Sequence, residues 1–134
     1  MSQTPASAPI LESETLKAID LCLEAFYEDS MKAGNEMASA DLSRAQIRGL
    51  ETLITSATRF SEILNYIKNQ VGKDKKGKWQ RIGSLLLDQL EALEKKANEM
   101  GKDVPGVILD IKLRLARGWA RQVVTHCLFS MSRK

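Results

Sequence analysis

Apolar residues recur at helical spacing along most of this chain, in runs separated by short polar or glycine-bearing breaks. The last run, residues 107–131, is the most informative. Ile108, Ile111, Leu115, Trp119 and Val123 fall on one stripe of a helical wheel. Arg114, Arg117 and Arg121 share a different face. Beyond Arg121 the helix turns apolar almost all round, which requires burial in its own fold or against a neighbour. Val124, Leu128, Phe129 and Met131 are therefore the expected subunit contacts.

The earlier runs follow the same logic. Residues 1–12, rich in Ser, Pro and Ala, are expected to form a flexible tail. An acidic N-terminal helical segment, 13–34, starts from a Ser13 or Thr15 cap and runs helically to about Met31. Gly34 and Asn35 are its predicted stops, with Glu36–Ala40 as a linker. Ser43 followed by Gln46 is a capping box, opening a long helix expected to reach Val71. Ile47, Leu50, Ile54, Ala57, Leu64 and Val71 give that helix one near-heptad face. Gly72 to Lys78 reads as a basic loop, and Trp79 to Met100 as a third helix with Ile82, Leu86, Leu90, Leu93 and Ala97 inside. The Gly101–Gly106 turn precedes the arginine-bearing helix. With no strand pattern and no repeat, residues 13–134 are predicted to form one all-α domain, a four-to-five-helix antiparallel bundle.

Charge changes this picture more than composition does. The formal net charge is only +3, yet residues 1–40 carry net −5 and residues 101–134 net +5. Such asymmetry suits a polyanionic partner at the basic end, or an acidic protein surface. Aromatic residues make up 5% of the chain, which disfavours folds that bind single strands by base stacking. The two cysteines, Cys22 and Cys127, each lie among apolar neighbours and read as reduced thiols in a cytoplasmic protein. One histidine and no Cys-x-x-Cys motif leave no expected metal site, and no cofactor is expected. The start of the chain does not read as a signal peptide, and no apolar run approaches the ~20 residues of a membrane span.

Arginines supply the candidate chemistry. Arg44, Arg48, Thr52, Thr55 and Arg59 would share one sector of the long helix, in position to follow a phosphate backbone. The same pattern also describes a solvated outer face. Lys75, Lys76 and Lys78 in the basic loop would add contacts, and that loop contains no nucleotide-binding Gly-x4-Gly-Lys-[Ser/Thr] motif. The expected nucleic-acid-binding set is thus Arg44, Arg48, Arg59, Lys75, Lys76, Lys78, Arg114, Arg117 and Arg121.

Two resemblances bear on function. Arg121 and His126, an Arg-x4-His pair on a late helix, resemble the motif of the HEPN ribonucleases, although Gln122 stands where that family favours Asn, Asp or His. The pair would imply an endoribonuclease with Arg121 and His126 as catalytic residues. The second resemblance covers residues 41–131. Leu42-Ser43-Arg44-Ala45-Gln46-Ile47-Arg48, opening a helix, and Lys112-Leu113-Arg114-Leu115-Ala116-Arg117-Gly118, near the end, resemble the small all-helical subunit of type III (Csm-type) CRISPR–Cas effector complexes. That resemblance implies a subunit without an active site. It would contact guide or target RNA, or another single strand, through basic side chains, and pack against its own copies and other subunits. Arg44 and Arg48 match its first motif, while Arg114, Arg117 and Arg121 belong to its basic helix. A helical DNA-binding regulator is the third reading, disfavoured because the turn before the arginine helix is longer than a helix-turn-helix uses.

Overall fold

The computed structural model describes residues 11–133, which form six helices and no strand. They are α1 (Ser13–Ala25), α2 (Tyr27–Ser39), α3 (Arg44–Ser56), α4 (Phe60–Gly72), α5 (Lys78–Met100) and α6 (Pro105–Ser132). The fold is the expected all-α bundle, but with six helices, because two predicted helices are broken. Residues 1–10 of the expected tail lie outside the described residues. Leu11 does not behave as tail: it is buried in the core. The first helix also begins without the expected side-chain cap, after Glu12.

The first break falls at Phe26, a single non-helical residue between α1 and α2. The chain then stays helical through Gly34 and Asn35, and the expected linker is the buried end of α2, with Met37 and Ala38 in the core. Gly34 is there for contact. A Cβ on it would lie 2.6 Å from the Val123 carbonyl oxygen and 2.8 Å from Cβ of His126. Close packing of α2 on α6 outweighs the ~1 kcal/mol that glycine costs a helix.

The second break divides the long predicted helix at Ala57–Arg59, where Ala57 and Arg59 are extended. Hydroxyls crowd the end of α3: Thr55 donates to the Glu51 carbonyl and Ser56 to the Thr52 carbonyl. Such side chains compete with the helical ladder. A new start then follows, as Glu62 accepts from the Arg59 amide at 3.1 Å and the Thr58 hydroxyl at 3.2 Å. At the other end of α3 the expected Ser43–Gln46 capping box is present, with both bonds made.

One core joins all six helices, and α6 runs through its centre. Ile111, Leu115, Trp119 and Val123 of the expected stripe are buried, but so are Leu113, Ala116, Ala120 and Val124 on neighbouring faces. Hairpin α5–α6 is antiparallel, with Glu94 opposite Lys112 and Gln89 opposite Trp119. The turn between them carries positive φ at Lys102 and Asp103, closed by the Val104 amide on the Gly101 carbonyl. Within the core the Trp119 indole donates to Gln89 at 2.8 Å, and Gln89 donates to the Asp29 carbonyl at 2.8 Å. This neutral relay satisfies buried polar groups on α2, α5 and α6 together. No described helix is long and apolar enough to cross a membrane.

Candidate nucleic-acid interface

Helix α6 uses its faces differently. Where α1 lies beside it, the two helices stand apart and leave a groove of about 430 Å³. Arg114, Arg117, Gly118 and Arg121 form one wall, and Leu16, Ile19, Asp20 and Leu23 the other. The three arginines expected to share a face therefore do open onto one concavity.

Their commitments differ. Arg114 is paired with Asp110 at 3.1 Å. Arg117 donates weakly, at 3.5 Å, to the carbonyl of Ala57 at the end of α3, and its buried Nε has no acceptor. A guanidinium beside the last carbonyls of a helix is favourably placed in the field of the helix dipole. Arg117 thus helps to hold the α3–α4 break as well as lining the groove. Arg121 is exposed and has no hydrogen bond or ion pair among the described residues.

The other expected basic residues are not gathered into this groove. Arg44 and Arg48 are exposed on α3, and Arg48 pairs with Glu51 at 2.9 Å. Arg59 lies beyond the helix break, so it does not continue the α3 stripe as the sequence predicted; it pairs with Glu62 at 3.4 Å. Glu62 is partly covered, which raises its carboxyl pKa. Hydrogen bonds from Thr58 and Arg59, together with the nearby guanidinium, outweigh that and leave it below the usual value.

A second concavity of about 430 Å³ lies at the basic loop, lined by Gln46, Gln70, Asp74, Trp79 and four lysines. Asp74 organises it by accepting from the amides of Lys76, Trp79 and Gln80, which secures the start of α5. Lys75 and Lys76 are exposed, whereas Lys78 is tied down by a 2.9 Å bond to the Asp41 carbonyl.

Arg121 and His126 do not share this geometry. The His126 ring meets Tyr27 edge-on at 5.1 Å between centroids, and it is absent from the arginine groove's lining. Among the four expected subunit contacts, Val124 must be corrected: it is 2% exposed and spent in the chain's own core. Leu128 and Met131 are half-buried, and Phe129 is 57% exposed, with the Arg133 guanidinium 5.4 Å from its ring centre. Neither Cys22 nor Cys127 is joined in a disulfide, and partial burial raises the Cys22 pKa. No group of three or more His, Cys, Asp or Glu residues among the described residues is arranged to hold a metal ion.

Sequence reasoning missed Asp20. Nothing local marks it, because its partners in the groove lie on a helix about ninety positions further on and only tertiary packing brings them together. Compared with protein-family models, curated proteins and solved structures, the chain matches none.

Proposed function

We propose that this chain is a non-catalytic small subunit of a CRISPR–Cas ribonucleoprotein effector complex, contacting the backbone of guide or target RNA through basic helix faces. The observation that carries the reading is the convergence of Arg114, Arg117 and Arg121 on one open groove. Guanidinium groups bind phosphate oxygens through charge and paired donors without reading bases, as a subunit indifferent to guide sequence requires. The resemblance of residues 41–131 to the type III small subunit supports the same conclusion. Lys75 and Lys76 offer a second phosphate contact, and exposed Phe129 is the apolar anchor for a neighbouring subunit.

Purification of the tagged chain from its native host in mild salt tests this reading. A multi-subunit particle holding short RNA of uniform length is expected; a free protein without RNA would overturn it. With purified protein and labelled RNA, Arg121→Ala is expected to weaken binding equally for unrelated sequences and to lower the salt slope by about one. A changed sequence preference with an unchanged slope would count against backbone contact.

A further inference from the structure

Among the described residues, Asp20 is the one carboxylate lining the arginine groove. It is exposed and has no hydrogen bond or ion pair among the described residues, so it faces the arginines without being joined to them. Arg114 is already balanced by Asp110. The charges left to act across the groove are Arg117 and Arg121 on one wall and Asp20 on the other. Leu16, Ile19 and Leu23 share that wall with Asp20, so part of the surface beside the carboxylate is apolar side chain instead of water.

We propose that Asp20 is an affinity-determining counter-charge: it weakens the hold of the α1–α6 groove on a phosphate backbone, keeping that contact reversible. This rests on the reading of the groove as a phosphate-backbone contact. A phosphodiester drawn in by Arg117 and Arg121 brings its own negative charge next to the Asp20 carboxylate. Every phosphate placed there therefore binds against a fixed repulsion. The device belongs to α1, outside residues 41–131 that carry the resemblance to the type III small subunit.

The test compares charge removed inside the groove with the same charge removed elsewhere on α1. Asp20→Asn neutralises the groove carboxylate with little change of shape. Glu24→Gln neutralises an exposed acid on the same helix that does not line the groove. Binding of full-length protein to a fluorescein-labelled RNA of mixed sequence is followed by anisotropy across a salt series. Asp20→Asn is expected to bind on the order of fivefold tighter at low salt, the gain shrinking as salt screens it, while Glu24→Gln stays within about twofold of wild type. Asp20→Glu, which keeps the charge, should bind as wild type does.

Equal tightening by Asp20→Asn and Glu24→Gln would overturn the proposal, since net charge alone would explain both. Unchanged or weaker binding by Asp20→Asn would also overturn it. Arg121→Ala in the same series separates the two levels. If Arg121→Ala binds as wild type does, the phosphate reading of the groove falls and this inference with it. If Arg121 matters and Asp20 does not, only this inference falls.

Discussion

Helix α6 meets α2 and α1 in opposite ways. Against α2 it presents backbone: at Gly34 the helices approach so closely that a methyl group would strike the Val123 carbonyl and the Cys127 amide, at 2.6 and 2.9 Å. Against α1 it presents Gly118, where the nearest atoms a methyl group would meet all belong to the Leu23 side chain, its Cδ1 end first. The first contact is backbone against backbone and leaves no room for a ligand. The second is cushioned by a flexible side chain and opens into the arginine groove. A single helix can thus serve as the spine of the core on one side and as a wall of an open groove on another.

The sharpest way to break this contrast is Gly34→Ala. Backbone atoms cannot yield as a side-chain end can, so α2 must move off α6 or unwind. The variant is expected to lose about 3 kcal/mol, read as a lower denaturant midpoint with an unchanged slope. Wild-type stability would mean that the α2–α6 approach is looser than the geometry requires.

Next in size is the relay that locks the same side. Gln89→Leu strands the buried Trp119 indole N–H and removes the donor to the Asp29 carbonyl, at an expected cost of about 2 kcal/mol. Adding Trp119→Phe removes the stranded donor. The double variant should therefore lose less than the sum of the two single changes, a coupling that a double-mutant cycle measures.

These contacts also explain how much could be read from the sequence. The helical fold, the Ser43–Gln46 cap and the α6 core stripe are local patterns, and all three are present. The helix stop expected at Gly34 failed because the glycine answers to residues nearly ninety positions away, and packing prevails over local propensity. The break at Ala57–Arg59 did have a local signal, the Thr55-Ser56-Ala57-Thr58 run followed by Glu62, but the apolar periodicity continued across it. The arginine face was legible because its members lie on one helix. Asp20 and the groove itself arise only from the pairing of α1 with α6.

Arg117 and Arg121 sharpen the comparison because both line the groove but only one is bonded to the fold. Arg117→Ala should lower stability by about 1 kcal/mol as well as weaken RNA binding, through loss of its bond to the Ala57 carbonyl. Arg121→Ala should weaken binding while stability stays within about 0.5 kcal/mol of wild type. Paired unfolding and anisotropy measurements separate these outcomes. Equal stability losses would mean that Arg121 is also tied into the fold.

A smaller effect is expected at the junction that Arg117 contacts, where Glu62 holds the start of α4. Its carboxyl group titrates below the usual value in the folded protein, so its contribution is fully present above the unfolded-state pKa. It is lost as the pH falls through the lower, folded-state value. Wild-type stability should therefore fall more steeply than that of Glu62→Gln across the acid range beginning near the ordinary carboxylate pKa of 4.5. Parallel acid profiles would count against this account of the α4 start.

The smallest change is expected at Gly118, the glycine of α6 that faces α1. Gly118→Ala places a methyl group 2.4 Å from Cδ1 of Leu23 as the side chain now stands, shorter than the closest approach at Gly34. Distance alone would rank it the worse substitution. But Leu23 is half-buried beside an open groove and can turn away, at a cost offset by the ~1 kcal/mol that alanine gains over glycine within a helix. Stability is expected to stay within about 1 kcal/mol of wild type. A loss as large as that of Gly34→Ala would mean that α1 is held against α6 as rigidly as α2. The arginine groove would then be a fixed cleft instead of a cushioned one.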